Sequence, residues 1–304
     1  MTSSTSRRDS PFGRKLTAVV TPMRDDGTLD LDGLQKVVAH LLDTGHDGVV
    51  VNGTTGESPT TSDEEKDQIL RAALEAVGDR GRVVAGVGTN DTAHTVRVAR
   101  QAAASGAHGL LVVTPYYNKP TQPGLVAHFT AVADATDLPV ILYDIPHRAG
   151  VPIESDTLIR LAEHPRIQAV KDAKGDLWAA TRVLSQTDLL WFSGDDVAHL
   201  AHLTQGATGY IGVTTHVAGA EYASMVDAVD AGDLESAIAV HRRLIPLVDA
   251  VMTTSQGAIM AKAALKELGV IDSAAVRLPL VESPPEHLEK LRAAFATVGV
   301  PAST

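Results

Sequence analysis

A lysine stands at the end of a short apolar segment near the middle of the chain. The segment reads IQAVKDAKGD over residues 167–176, so a largely apolar run leads into Lys171 and a turn containing Gly175 follows. This pattern predicts a buried strand that presents Lys171 at its carboxyl end. A lysine ammonium has a pKa of about 10.4 in water, but burial lowers that pKa and frees the amine to attack a carbonyl. Lys171 is therefore a candidate Schiff-base nucleophile, although on this segment alone a solvated loop lysine is the commoner case.

Two other apolar runs end in groups suited to a small acid. VNGTTGESP places Thr54 and Thr55 between two glycines, and free backbone amides in such a turn suit a carboxylate or a phosphate. ILYDIPHRAG places Tyr143 at a strand end and Arg148 five residues later, and an arginine fork matches a carboxylate. The alternatives are a threonine turn that only caps the next helix and an arginine that is only solvated.

The remaining polar clusters favour structural roles. VVTPYYNKP carries the adjacent Tyr116 and Tyr117, whose spacing alone indicates loop packing or an interface contact. FSGDD contains Asp195 and Asp196, which we interpret as the N-cap and first turn of a helix. No metal site is expected, because the chain has no cysteine and its 12 histidines form no zincin pattern.

The elements that must position these groups form a repeated unit. Segments with helical apolar spacing separate eight short apolar runs, at residues 16–20, 48–51, 82–87, 109–113, 140–143, 167–171, 189–193 and 208–213. Continuous strand hydrophobicity with helices between indicates a parallel sheet covered on both faces. Eight such units predict a closed TIM barrel rather than an open doubly wound sheet, and no glycine-rich dinucleotide motif follows the first run. The active site of such a barrel lies at the carboxyl ends of its strands, where the candidate residues fall.

The ends of the chain differ from its centre. Residues 1–13 have basic residues without a following apolar segment, and we interpret them as a flexible tail rather than a signal peptide. Residues 14–232 form the predicted catalytic barrel. Residues 233–304 form a predicted three-helix domain, with helices at 234–251, 256–268 and 285–298, and its expected role is packing and oligomer contact.

The composition is that of a globular enzyme. The chain has 304 residues, 44% hydrophobic and 21% charged, and a formal net charge of -11. That charge argues against nucleic acid or an anionic membrane as the main partner, since both attract a basic surface. No run approaches the roughly 18 apolar residues of a membrane span, so we expect a cytoplasmic protein that acts on small molecules.

Six motifs resemble those of one enzyme family in order and spacing: GTTGES at 53–58, TPYYNKP at 114–120, YDIPHRAG at 143–150, VKDAKGD at 170–176, SGDD at 193–196 and GYIGV at 209–213. The family is the dihydrodipicolinate synthases, members of the Schiff-base (class I) pyruvate aldolase superfamily. The resemblance covers residues 16–269. It implies an enzyme of lysine and diaminopimelate biosynthesis that needs no cofactor, because pyruvate itself is bound covalently as a substrate.

The resemblance also implies roles for individual residues. Lys171 would form an imine with pyruvate, and the derived enamine would attack the aldehyde of aspartate semialdehyde. The backbone amides of Thr54 and Thr55 would bind the pyruvate carboxylate. Tyr143, the Thr54 hydroxyl and Tyr117 would relay protons, as imine formation and ring closure both require.

Further implied features concern the rim of the site and its neighbours. Arg148 would hold the carboxylate of the aldehyde substrate, and Gly194 and the carbonyl of Ile211 would lie beside the bound intermediate. The family resemblance implies a homo-oligomer, a tetramer built as a dimer of dimers, with Tyr117 crossing the tight dimer interface. Asp144, where many members have asparagine, leaves the accepted aldehyde open, so N-acetylneuraminate lyases and ketodeoxygluconate aldolases are alternatives. A non-catalytic keto-acid-binding paralogue is a further alternative, of a different class.

Feedback by lysine is predicted to be weak or absent. By motif alignment the chain keeps Ser58, Asn90 and Tyr116 of the family's lysine site. It places His94 at the glutamate position, and Asp63 and Lys66 at two histidine positions. A histidine lacks the negative charge that would pair with the ammonium of an incoming lysine, and the nearby lysine adds a like charge.

Overall fold

Eight parallel strands close into a barrel in the computed structural model, which describes residues 10–300. Each strand pairs with its sequence neighbours, and the first also pairs with the last. The fold is therefore the predicted TIM barrel, and each strand end lies within two residues of its prediction. The strands are β1 Lys15–Ala18, β2 Gly48–Val51, β3 Arg82–Gly86, β4 Gly109–Val113, β5 Val140–Asp144, β6 Ile167–Asp172, β7 Leu190–Ser193 and β8 Gly209–Gly212.

Helices follow the strands and cover the outside of the barrel. The first of them begins after an aspartate N-cap, and the second begins with a complete capping box between Ser62 and Glu65. The helices are α1 Leu31–Asp43, α2 Asp63–Val77, α3 Thr92–Ala104, α4 Gln122–Ala133, α5 Pro146–Ala149, α6 Ser155–Leu161, α7 Leu177–Leu184, α8 His199–Thr204, α9 Gly219–Asp230, α10 Leu234–Arg243, α11 Ile245–Val248, α12 Gly257–Glu267 and α13 Pro285–Val298. No helix within residues 10–300 is long and apolar enough to cross a membrane.

Buried side chains form two layers on the two faces of the sheet. One cluster fills the barrel interior and includes Ala169 of β6, Phe192 of β7 and Ile211 of β8. The other lies between strands and helices and includes Val170 of β6. Because successive side chains of a strand alternate between faces, β6 directs residues 169 and 171 to the interior. This alternation places the lysine of that strand inside the barrel.

Both ends of the described part of the chain, near residues 10 and 300, pack onto the barrel. Residues 1–9 of the predicted tail lie outside the described residues, and Phe12 is fully buried against the edge of the Phe192 ring. All three predicted C-terminal helices are present, the first divided into α10, α11 and a π-helical turn, Asp249–Thr253. One buried cluster contains barrel residues together with Leu265 and Leu291. The division of the chain at residue 232 stays a prediction.

Candidate active site

Lys171 lies near the end of β6, inside the barrel. In the register of the sheet it stands opposite Tyr143 of β5 and Phe192 of β7. The lysine is only 3% exposed, and its Nζ lies 4.3 Å from the centre of the Tyr143 ring. The solvated alternative is thereby excluded for this side chain, because the barrel walls enclose it.

The environment of Lys171 favours the neutral amine. Burial lowers the pKa of Lys171 to about 8, while the negative charge of Asp196 raises it and the positive charge of Arg148 lowers it further. At pH 7 about one lysine in ten is then neutral, compared with fewer than about one in a thousand at the ordinary pKa. The amine is therefore available as a nucleophile near neutrality.

A cavity of about 320 Å³ opens beside Lys171 at the carboxyl ends of the strands. Six of the eight residues that the sequence predicts for the site line it: Thr54, Thr55, Tyr143, Arg148, Lys171 and Gly194. Its volume fits a small ligand. A second cavity of about 400 Å³ shares three of these residues but not the lysine, so we assign the chemistry to the first.

The other two predicted residues lie outside this cavity. Ile211 is fully buried on β8 in the inner layer of the barrel. Tyr117 follows β4 in a loop, is 89% exposed and has a left-handed backbone with φ of 74°. A bulky residue adopts that conformation rarely, which indicates a functional or packing constraint on the loop.

The turn after β2 has the form of an anion site. Its backbone is closed by hydrogen bonds from the amides of Gly56 and Ser58 to the carbonyl of Gly53, at 3.1 and 3.3 Å. Within residues 10–300 the amides of Thr54 and Thr55 have no hydrogen-bond partner. Both amides are therefore available to a carboxylate in the cavity.

Tyr143 remains protonated at neutral pH. Burial raises the pKa of its phenol, which outweighs the opposing effects of the Arg148 charge and of a hydrogen bond with the Thr54 side chain. A protonated phenol beside the lysine can donate a proton or pass one to the threonine hydroxyl. Tyr143 and Thr54 thus form a connected pair of proton-carrying groups.

Gly194 provides space for the lysine side chain. A Cβ at this position would lie 2.8 Å from Cγ and 2.9 Å from Cε of Lys171. Any other residue would displace the lysine or the strand end. The sequence predicts Gly194 only through the family resemblance, because the close approach depends on the barrel's closure.

The two aspartates after β7 have the predicted capping positions. Asp195 is the N-cap of a 3-10 turn and accepts a hydrogen bond from the amide of Val197. Asp196 is fully buried and accepts hydrogen bonds from the amides of Val213 and Thr214 at 2.7 to 3.1 Å. The sequence does not indicate this second function, which fastens the end of β7 to the end of β8. Among residues 10–300, no group of three or more histidine, aspartate or glutamate side chains is placed to hold a metal ion.

The C-terminal region reaches the cavity. Six of its residues line the cavity: Met252, Thr253, Ser255, Gln256, Gly257 and Ala258. From the sequence we expected packing and oligomer contact for this region, and not a part in the cavity. No local sequence pattern predicts that the C-terminal region lines the cavity, because this contact depends on how α12 packs against the barrel.

A second lysine nearby is occupied by an ion pair. Lys174 lies 2.9 Å from the Asp144 carboxylate and donates to the carbonyl of Ile153. Asp144 also accepts a hydrogen bond from the amide of Ile153. The pair therefore closes the base of the loop that carries Arg148, which gives the aspartate a structural partner and leaves Lys171 as the unpaired amine of the cavity.

The fold and the cavity define a TIM-barrel enzyme whose site holds a desolvated primary amine. The model of the dihydrodipicolinate synthetase family matches residues 11–297. The chain is 60% identical over 290 residues to the 4-hydroxy-tetrahydrodipicolinate synthase of Kineococcus radiotolerans, covering 95% of this chain and 94% of that protein. It is also similar to a solved dihydrodipicolinate synthase from Cyanidioschyzon merolae with lysine bound, with a TM-score of 0.93, 38% identity and coverage of 96% and 100% of the two chains. A solved monomeric dihydrodipicolinate synthase variant has a TM-score of 0.92, 36% identity and coverage of 96% and 98%.

The chain therefore belongs to the dihydrodipicolinate synthetase family, and it is an enzyme. The resemblance predicted from the six motifs is confirmed.

Proposed function

We propose that this protein condenses pyruvate with L-aspartate 4-semialdehyde through an imine on Lys171, giving 4-hydroxy-tetrahydrodipicolinate. Membership of the family supports the reaction. The observation that carries the residue assignment is the buried Lys171 amine in a cavity whose wall includes Tyr143 and the free amides of Thr54 and Thr55. The product belongs to lysine and diaminopimelate biosynthesis, and we place the reaction in the cytoplasm.

In the first half of the reaction, Lys171 forms an imine with pyruvate. The carboxylate of pyruvate accepts hydrogen bonds from the amides of Thr54 and Thr55, which directs the ketone carbon to Lys171 Nζ. The neutral amine adds to that carbon, and the oxygen leaves as water after it receives protons. Tyr143 supplies these protons, since its ring centre lies 4.3 Å from Nζ. Loss of a methyl proton from the imine then gives the enamine.

The second half of the reaction joins the two substrates. The methylene carbon of the enamine attacks the aldehyde carbon, whose oxygen takes a proton from the relay of Tyr143 and Thr54. Arg148, at the exposed rim of the cavity, pairs with the aldehyde substrate's carboxylate. The substrate's amino group then displaces Lys171 by transimination, which closes the ring and frees the enzyme. The sequence of steps needs no cofactor.

A second copy of the chain completes the relay in this proposal. Tyr117 is 89% exposed and does not line the cavity of its own chain. We assign it to the cavity of a neighbouring subunit across the tight interface of a dimer, two of which form a tetramer. A monomeric variant exists among the similar structures, so the assembly of this chain is to be measured directly.

For regulation, we propose that feedback inhibition by lysine is weak or absent. Nε2 of His94 lies 2.8 Å from the Asp63 carboxylate, so the acid that would otherwise attract an ammonium already has a partner. Nζ of Lys66 is buried and donates to the carbonyl of Thr61. Loss of one charge-assisted contact costs roughly 1.5 to 3 kcal/mol, more than tenfold in affinity.

A coupled assay tests the proposed function. Purified protein receives pyruvate and aspartate semialdehyde, and the reductase that consumes the product reports turnover through oxidation of its nicotinamide cofactor. We expect turnover that requires both substrates. Cleavage of N-acetylneuraminate or ketodeoxygluconate without turnover in the coupled assay would instead assign the chain to the related aldolases. Pyruvate binding without either activity would indicate the non-catalytic paralogue.

A further inference from the structure

We propose that Glu57, Lys262 and Arg277 form a positioning network that holds the Thr54–Thr55 turn in the conformation that binds the pyruvate carboxylate. The inference rests on the proposed function and extends it to residues that do not touch the substrate. It assigns the C-terminal region a part in substrate binding, through a contact that spans about two thirds of the chain.

Glu57 is held in a conformation that needs support. It lies directly after the Thr54–Gly56 turn, has φ of 56° and is buried. Its amide donates to the carbonyl of Thr54 at 3.1 Å, so its backbone is part of the turn. A non-glycine residue in the left-handed region persists only where its surroundings fix it, and such residues cluster at binding sites.

Lys262 supplies the counter-charge from the C-terminal region. It is fully buried in the middle of α12, within the apolar sequence GAIMAKAALKE, and its Nζ is paired with Oε1 of Glu57. The same ammonium donates to the carbonyl of Ala275 at 2.6 Å. Burial lowers the pKa of Lys262, while the charge and hydrogen bond of Glu57 raise it. A buried charge of this kind requires its partner, so each group fixes the position of the other.

Arg277 fastens the other side of the same segment. Its backbone amide donates to Oε2 of Glu57 at 2.9 Å, so both carboxylate oxygens have partners. Its guanidinium donates to the carbonyl of Thr60 at 2.7 Å and to the two carboxylate oxygens of Glu65 at 2.5 and 2.7 Å. Glu65 also accepts a hydrogen bond from the amide of Ser62, the N-cap of α2. The segment after α12 is thus hydrogen-bonded to the chain immediately after the Thr54–Thr55 turn.

The link to function is the geometry of two amides. Thr54 and Thr55 can both face one carboxylate only while the turn keeps its backbone angles. With Lys262 replaced by an apolar residue, the buried Glu57 carboxylate loses its ammonium partner and moves toward water. Movement of Glu57 carries the turn with it, because the Glu57 amide closes the turn onto Thr54. The predicted loss therefore falls on pyruvate and not on the second substrate.

The test is the pyruvate dependence of borohydride trapping in Lys262→Met. We expect the pyruvate concentration at half-maximal trapping to rise at least about tenfold, or about 1.4 kcal/mol. The Michaelis constant for aspartate semialdehyde, measured at saturating pyruvate, should change by less than about twofold, because Arg148 is not part of the network. The double variant Glu57→Gln/Lys262→Met should recover part of the pyruvate affinity that Lys262→Met loses, because it has no unpaired buried charge at this position.

Two further variants keep the result interpretable. Leu291→Ala truncates a buried side chain on α13 in the same C-terminal region, outside the network, and should lower thermal stability without changing pyruvate half-saturation. Arg277→Gln removes the hydrogen bonds of the guanidinium to Thr60 and Glu65. Because the Arg277 side chain is partly exposed, this variant replaces Lys262→Met in the test if Lys262→Met does not fold. It should also raise the pyruvate requirement.

The outcomes separate this inference from the proposed function. A wild-type protein that traps no pyruvate contradicts the proposed function. A wild-type protein that traps pyruvate, together with folded Lys262→Met or Arg277→Gln variants of unchanged half-saturation, overturns the network alone. An equal rise in Leu291→Ala would show that general loss of stability, and not positioning, is responsible.

Discussion

The rate of pyruvate imine formation should depend on pH with a midpoint near 8. Burial lowers the pKa of Lys171 from 10.5 to about 8, and only the neutral amine attacks the ketone. A pKa of about 8 in place of the ordinary lysine value corresponds to roughly 300-fold more neutral amine near pH 7, or roughly 3 kcal/mol. Because the neutral fraction rises with pH, the rate should increase about tenfold between pH 6 and pH 7 and level off above pH 8 to 9.

Two charges near Lys171 shift this midpoint in opposite directions. The carboxylate of Asp196 raises the lysine pKa, so Asp196→Asn should move the midpoint to lower pH. The guanidinium of Arg148 lowers it, so Arg148→Met should move the midpoint to higher pH, by a smaller amount because that side chain is exposed to solvent. Opposite shifts from these two variants would not result from a general disturbance of the barrel.

The assay is a single-turnover measurement. Protein and pyruvate are mixed at pH values from 5.5 to about 9.5, a range that brackets the lysine pKa. Borohydride quenches each mixture at short times, and the mass of the protein gives the fraction trapped. Only the initial rate is used, and the ionic strength is constant so that screening does not change with pH. A rate that still rises about tenfold between pH 8 and pH 9, or one that does not change between pH 6 and pH 8, would refute the argument that burial prepares this amine.

Three further outcomes follow from the site. Gly194→Ala should abolish trapping in a folded protein, because its Cβ would lie 2.8 Å from the Lys171 side chain, whereas Gly53→Ala meets no atom within 4 Å and should retain trapping. Chains with Tyr117→Phe and chains with Lys171→Ala should each have low turnover, and verified mixed oligomers should recover part of it; no recovery would place the tyrosine in its own chain's site. Free lysine titrated into the coupled assay should inhibit weakly or not at all, because His94 offers no negative charge to the ammonium of the added lysine. Inhibition at sub-millimolar lysine would show that other residues form the lysine site.

The barrel follows from local patterns in the sequence. Each strand is a short, continuous apolar run, and each end was predicted to within two residues, because a sheet buried on both faces leaves a clear signal. The capping box that starts α2 is likewise a local pattern, because Ser62 and Glu65 are three residues apart. Lys171 and Tyr143 were located because both stand at strand ends, and in-register pairing of β5 with β6 brings them together.

The features that sequence reasoning missed depend on long-range contacts. Lys262 lies within an apolar helix, and a lysine in such a position indicates a buried acidic partner. No local sequence pattern identifies Glu57 as that partner. In the sequence, Asp196 has the pattern of an ordinary capping residue. Its bonds to the amides of Val213 and Thr214 form only because β8 pairs with β7 in the fold. The approach of Gly194 to the lysine likewise exists only after the barrel closes.

The most direct test of the central claim is to locate the trapped pyruvate. Wild-type protein is incubated with pyruvate, reduced with borohydride, digested and sequenced by mass spectrometry. We expect one reduced pyruvate adduct, on Lys171, and no adduct in folded Lys171→Ala. An adduct on Lys174, whose amine is paired with Asp144, or on Lys119, would contradict the assignment of the nucleophile.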